Sequence, residues 1–256
     1  MSERVRVAFF TDSLHPSGVG RVMETLARHL RRDRYALFVV CAALPAADEL
    51  ARRMSPYAEA VARWTVREDH EDLDALHGLV RQLQEWRIDL FHNHIGATWE
   101  GGWGTLAARC ARVPVVVATD HLPNVLRTPH ELEHRRRMNG LVDRIFTVSE
   151  SVRQSLITAR LASPVKAVTV ENGVDEWSPR PARPEARREL ELPEEAPVVL
   201  FLGRLVEQKD PACLLRALSR VRAAGKPARL LVAGDGPLRG GLEELARELG
   251  IAARVR

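Results

Sequence analysis

Lysine, cysteine and aromatic residues are all scarce in this chain, and each shortage excludes something. Only Lys166, Lys209 and Lys226 among its 38 basic residues are lysine. The rest are arginine, and with 34 acidic residues the balance is only +4. That pattern reads as compositional bias, not as a surface built for polyanions. Aromatic residues make up 5% and no basic stretch is interleaved with them, so a stacking platform for nucleic acid is not expected. The three cysteines, Cys41, Cys110 and Cys213, lie far apart in apolar surroundings. They read as buried thiols in a reducing cytoplasm, with neither a disulfide framework nor zinc-ligand spacing. No apolar run reaches the roughly 18 residues of a membrane-crossing helix. The first residues, Met1 to Asp12, carry an early acid and too short an apolar run for a signal peptide. No internal repeat, Walker sequence or Ser-His-Asp pattern is present.

What remains is a chain of 256 residues, 45% hydrophobic and 28% charged, enough for one large or two ordinary globular domains. Short apolar runs alternate with helical patterns. Strands are predicted at Val5–Thr11, Tyr35–Ala42, Ile88–His92, Val115–Thr119, Arg144–Val148, Ala167–Glu171, Val198–Leu202 and Ala228–Ala233. Their near-continuous apolar character is that of parallel strands buried on both faces. Leu73, Leu76, Val80, Leu83 and Trp86 recur at helical spacing, as do Leu214, Leu215, Leu218 and Val221. The second helix is punctuated by Asp210 as cap, Pro211 in its first turn and Gly225 beyond its end. The alternation predicts a doubly wound α/β architecture with parallel sheets. Five prolines between Trp177 and Pro197 mark a connection. The expected organisation is a domain at 1–175, a Pro-rich linker at 176–197, and a partial domain at 198–256 with two strand–helix units and the start of a third strand.

The chemistry concentrates beyond the carboxyl ends of strands, where open α/β sheets bind ligands. The run Val198–Leu202 leads into Gly203-Arg204, with Lys209 five residues later, and a second strand ends in Gly234-Asp235-Gly236-Pro237. Gly203 lets backbone approach a ligand, Arg204 presents a planar fork to phosphate oxygens, and Lys209 adds a compact charge. The bland alternative pairs Arg204 and Lys209 with Glu207 and Asp210 on a surface turn. Gly234 and Gly236 are expected to pack closely against the first loop. Near the start, Thr11 to Arg21 form a glycine loop containing Gly18 and Gly20 before a helix, suited to a phosphate or sugar. A nicotinamide site fits poorly there, because Met23 stands where a third glycine would fall and Val39–Ala42 offers no acid for a ribose. His121 follows a central strand. His92 and His94 end another, lining a cleft or packing its floor; a metal would need more ligands. The basic cluster His134 to Arg137 reads as a solvated helix face, or as a contact for an acidic acceptor or an anionic membrane.

Taken in order, these pieces resemble the retaining, two-domain glycosyltransferases of family four, with the GT-B fold. The resemblance rests on Pro16 to Arg21, Thr119-Asp120-His121, Val142 to Glu150, Val170 to Asp175 with Pro179, Gly203-Arg204 with Lys209, and Gly234 to Pro237. It implies two Rossmann-like domains, the second incomplete here, with a nucleotide-sugar donor held mainly by the C-terminal one and the acceptor by the N-terminal one. Carried across, Arg204 and Lys209 hold the donor diphosphate and stabilise it as it leaves. Gly18, Gly20, Gly203 and Gly234 let backbone approach the donor, and His121 contacts the transferred sugar. His92, His94 and Asp120 fall on the acceptor side, and Asn172 to Asp175 shape the hinge. The donor phosphate takes the acceptor proton, so neither a metal nor another cofactor is implied. Ser17-Gly18 stands where many relatives have two glycines, and Leu122 where Asp or Gly is frequent. The two glutamates spaced eight apart in relatives have no counterpart, so the chain is expected to be a fragment, inactive alone. Lipid, carbohydrate and small-molecule acceptors are all compatible. The alternatives are a non-catalytic nucleotide-sugar-binding module, half of a split enzyme, or a nucleotide-sugar epimerase. A cytoplasmic location is expected, with peripheral contact at an anionic membrane.

Overall fold

The computed structural model describes residues 4–13, 18–65, 73–96, 100–123, 128–176 and 181–256. The chain divides into two compact units, Met1–Glu176 and Trp177–Arg256.

The first unit alternates strand and helix: β1 (Val5–Thr11), α1 (Gly18–His29), β2 (Tyr35–Ala42), α2 (Asp48–Met54), β3 (Ala60–Trp64), α3 (Leu73–Glu85), β4 (Leu90–Ile95), α4 (Gly102–Cys110), β5 (Val115–Asp120), α5 (Pro129–Gly140), β6 (Arg144–Thr147), α6 (Glu150–Thr158) and β7 (Ala167–Thr169). Its seven strands pair in the order β3-β2-β1-β4-β5-β6-β7, all parallel. The order reverses between β1 and β4, which places a ligand crevice beyond their carboxyl ends. One core layer gathers Phe10, Phe38, Leu83, Phe91 and Ile145 against α3 and α4. The other packs Phe9, Val39 and Met54 against Met23 and Ala27 of α1.

The strand predictions hold in place and drift at the ends. β1 and β2 match residue for residue, whereas the fourth strand runs Leu90–Ile95, starting two residues and ending three residues later than Ile88–His92. Register decides this, because Leu90 to Ile95 lie opposite Val115 to Asp120. β3 went unpredicted: Ala-Val-Ala-Arg-Trp is short, and it is an edge strand whose residues are mostly half-buried.

The second unit contains α7 (Arg183–Glu189), β8 (Val198–Leu202), α8 (Pro211–Ala223), β9 (Arg229–Ala233) and α9 (Arg239–Glu248). β8 and β9 are parallel, and Val255 makes a single parallel bridge to Leu230 where a third strand was expected. The predicted capping of α8 is present, with the Asp210 side chain accepting from the Cys213 amide at 3.2 Å. The core joins Leu215, Leu218, Leu230, Ala246 and Ile251, with Phe201 and Val232 against it, beside an open pocket of about 550 Å³. Burial on both faces fails for β8: Leu200 and Leu202 are 56% and 79% exposed. The helices cover the Phe201–Val232 face, and alternation along the strand turns Leu200 and Leu202 the other way.

Two of the three thiols were misplaced by the sequence reading. Cys41 is buried in β2, but Cys110 ends α4 and Cys213 opens α8, and both are exposed. An apolar neighbourhood in sequence is not a buried face when the helix turns that position outward. Among the described residues, no helix is long and apolar enough to cross a membrane.

Candidate functional site

In the second unit the two glycine turns are bound into one platform. Gly203 donates to the Ala233 carbonyl (3.1 Å), Leu205 to the Asp235 carbonyl (2.8 Å), and Leu238 back to the Leu205 carbonyl (3.1 Å). The glycines make this approach possible. A β-carbon on Gly234 would strike the Gly203 carbonyl, whose carbon is 2.9 Å away, and one on Gly236 would strike the Leu205 carbonyl, whose carbon is 2.8 Å away. The expected packing role of these two glycines is therefore what the geometry shows.

Arg204 sits between the two bonded residues with its side chain in solvent. Lys209 ends a one-turn helix at Glu207–Lys209, and Asp210, at φ 41, swings the chain into α8. Among the described residues neither cation has an ion-pair partner, so the surface-turn pairing with Glu207 and Asp210 does not form. Arg204 and Lys209 are thus two exposed cations in one loop, and Lys209 lies two residues before the 13-residue helix α8.

In the first unit, buried polar groups gather at the ends of β1, β4 and β5. His121 continues the ladder, its amide donating to the Ile95 carbonyl at 3.0 Å. Its ring Nε2 meets His94 Nδ1 at 3.1 Å, and the two rings stack at 5.4 Å. His94 stacks in turn on His92 at 4.1 Å, and His92 Nε2 bonds Thr119 Oγ1 at 2.7 Å. Burial pushes His92 down to about 3 and His121 to about 4, and holds His94 well below the ordinary imidazole value. All three rings are neutral at pH 7. They form a column, and among the described residues no group of three or more His, Cys, Asp or Glu converges on a metal position.

Two expectations change here. Asp120, expected on the acceptor side, is buried and pairs with Arg135 of α5. The His134–Arg137 cluster is therefore not one solvated face: Arg135 is 2% exposed, while Arg136 and Arg137 pair with Glu133 outside. Removing one member of such a buried pair strands a charge, at about 3–5 kcal/mol. Asp120→Ala is expected to cost that much in urea unfolding, and a loss below about 1 kcal/mol would show that the pair contributes little. Gly20 also differs from the expectation of a ligand-facing glycine. A β-carbon there would meet Leu50 of α2 at 3.2 Å, so it serves helix packing, whereas Gly18, opening α1, faces open space. Pro16 and Ser17 lie outside the described residues, as does Pro179.

Sequence reasoning passed over Asp12, one residue beyond β1. Both its carboxylate oxygens accept from the Gly101 amide at 2.9 Å, at the start of α4. Gly101 is itself held by Asn93, whose amide donates to the Gly101 carbonyl at 2.6 Å. Burial is the main cause that lifts Asp12 to about 7, with Glu100 adding repulsion. Its stabilising contribution is complete below the ordinary carboxyl value and is lost as pH rises through about 7. Asp12→Asn keeps an acceptor for Gly101 and never ionises. It should gain roughly 2–4 kcal/mol at pH 8 and little at pH 4. Urea midpoints at the two pH values check this, and a loss at pH 8 would count against it. The available signal was an acid directly at the end of a strand beside the topological switch.

Comparison with known proteins gives this geometry a family. The model described as Glycosyltransferase Family 4 matches residues 16–177, and that described as Glycosyl transferases group 1 matches residues 182–256. A D-inositol 3-phosphate glycosyltransferase of Thermobifida fusca is 33% identical over 204 residues, 71% of this chain and 46% of that protein. The lipopolysaccharide core biosynthesis glycosyltransferase LpsD of Rhizobium meliloti is 46% identical over 77 residues, 30% of this chain and 21% of that one. The chain thus spans less than half the length of these curated relatives. Among solved structures, Anabaena Alr3699/HepE in complex with UDP and glucose superposes with a TM-score of 0.76 at 19% identity, over 99% of this chain and 68% of that one. The UDP-GlcNAc 2-epimerase of Neisseria meningitidis bound to UDP-GlcNAc gives 0.59 at 16% identity, over 99% and 71%. These likenesses show the fold: two Rossmann-like α/β units of the GT-B type. With a family model covering most of its length, the chain belongs to glycosyltransferase family 4.

Proposed function

We propose that the whole protein transfers a sugar from a nucleotide-sugar donor to a hydroxyl-bearing acceptor, with retention of anomeric configuration. The observation that carries this reading is the bonded pair of glycine turns holding Arg204, with Lys209 five residues on, both exposed and without ion-pair partners among the described residues. An unpaired Arg fork followed in the same loop by an unpaired Lys suits a diphosphate, both bound and departing. As the anomeric C–O bond to the diphosphate breaks, the acceptor oxygen bonds the same face. Its proton passes to the leaving phosphate oxygen. Neither a metal nor a protein base enters this scheme. His121, neutral at pH 7, is the group assigned to the sugar, and the exposed Gly18 at the start of α1 admits a donor oxygen. The acceptor class spans lipids, carbohydrates and small molecules; the relatives named for inositol phosphate and for lipopolysaccharide core fall within it. A cytoplasmic protein in peripheral contact with an anionic membrane fits such acceptors.

A second reading is a nucleotide-sugar-binding module or one half of a split enzyme. Under either reading the 256-residue chain alone is expected to turn over no nucleotide sugar. Measured transfer by it would remove that expectation. Calorimetric titration with UDP tests the diphosphate site itself. Binding that weakens about tenfold or more in Arg204→Ala and in Lys209→Ala supports it. Binding indifferent to both substitutions would reject it.

A further inference from the structure

His94 is fully buried, yet it bonds the residue assigned to the sugar. A neutral imidazole carries one ring proton, and the nitrogen that holds it decides what the opposite nitrogen can do. Burial keeps both His94 and His121 neutral at pH 7. One of them must therefore donate across the 3.1 Å contact between His94 Nδ1 and His121 Nε2.

The remaining nitrogen of His94 selects the donor. Its Nε2 is buried with no hydrogen-bond partner. Were His94 to accept at Nδ1, its proton would sit on Nε2 as a buried N–H facing no acceptor. An orphaned N–H is the rarer defect in folded proteins; an unfilled lone pair is better tolerated. The proton belongs on Nδ1, so His94 donates and His121 accepts at Nε2. The one proton of His121 is then on Nδ1, the nitrogen His94 leaves free. Ring packing fixes the orientation: Phe9 meets His94 edge-on at 5.0 Å, and His92 stacks beneath it at 4.1 Å.

We propose that His94 is a positioning residue which, by donating from Nδ1, holds His121 in its Nδ1–H tautomer and makes it a hydrogen-bond donor toward a ligand oxygen such as a sugar hydroxyl. His94 itself touches no ligand. The ligand rests on the glycosyltransferase reading of His121; the tautomer does not. The two therefore fail separately, the first in binding or transfer assays and the second by spectroscopy.

Long-range 1H–15N correlation on the ¹⁵N-histidine-labelled 256-residue chain at pH 7 reads the tautomers directly. Nδ1–H on both His94 and His121 is the expected result, and Nε2–H on His121 overturns the proposal. His94→Asn, whose amide nitrogen takes the place of Nδ1–H, should leave His121 as Nδ1–H. His94→Leu removes the donor, and His121 should shift toward Nε2–H, the form preferred by a free imidazole. An unshifted His121 in His94→Leu would show that His94 does not set it. Should the leucine variant fail to fold, the wild-type and asparagine spectra decide.

Discussion

Lys209→Ala in the whole protein is expected to reduce sugar transfer about 10²–10³-fold while changing unfolding stability by no more than about 0.5 kcal/mol. The asymmetry follows from where Lys209 sits. It is exposed, it ends a single helical turn, and no described residue pairs with it, so folding asks little of it. A departing diphosphate asks much more. A preorganised cation at the developing charge contributes about 3–4 kcal/mol to a transition state, far above its worth on an open surface. Arg204→Lys sharpens the test, because it keeps the charge and removes the planar fork. A tenfold or larger loss in that variant would place bidentate contact in the mechanism. Turnover with a nucleotide sugar, measured beside urea unfolding of the same variants, separates the two quantities. Wild-type turnover in Lys209→Ala would remove that residue from the reaction.

The second large effect is acid sensitivity of the first unit, with a slope set by the histidine column. His92 and His121 take up protons near 6.5 when unfolded but only near 3 and 4 when folded, and burial holds His94 well below 6.5 too. Their contribution is complete above 6.5 and is lost as pH falls toward the folded values. Each group removes about 1.4 kcal/mol per pH unit in that window, roughly 4 kcal/mol for the three. Asp12 acts the other way, because the folded protein binds its proton from about 7 down to the ordinary carboxyl value. The net expectation is a loss of about 2–3 kcal/mol between pH 6 and pH 5. Against a domain stability of about 5–15 kcal/mol, that is a large share of the total lost before exposed carboxylates titrate. Urea midpoints at pH 6 and pH 5 measure the slope; a flat or rising profile would show that the column is solvated.

Much of the architecture was legible because it is written locally. β1, β2 and β8 are apolar runs bounded by polar turns, and the structure keeps their limits. Asp210-Pro211 starts α8 through a local cap that involves only the next three residues. The glycine turns at Gly203 and Gly234 were likewise legible, and their mutual packing followed from two parallel strands ending side by side.

The candidate site was less legible, because its chemistry depends on residues distant in sequence. Asp12 is lifted to about 7 by burial, against the opposing pull of the amide of Gly101, 89 residues later. His94 and His121 stand 27 residues apart and meet only because β4 and β5 are neighbours. Arg135 sits in the middle of a strongly polar stretch, and the buried Asp120 pairs with it and holds it inward.

By itself the sequence determined the α/β class, most of the strand–helix alternation and the family, and it marked the two cations of the proposed diphosphate site. These follow from short-range periodicity and from motifs whose residues act within a few positions of one another. Tertiary structure alone decided which polar groups lose water. That choice made three histidines neutral, lifted one carboxyl to about 7, buried one arginine and left the Cys110 and Cys213 thiols outside. Desolvation is a property of the assembled packing, so the titration behaviour of this site exists only once the strands are side by side.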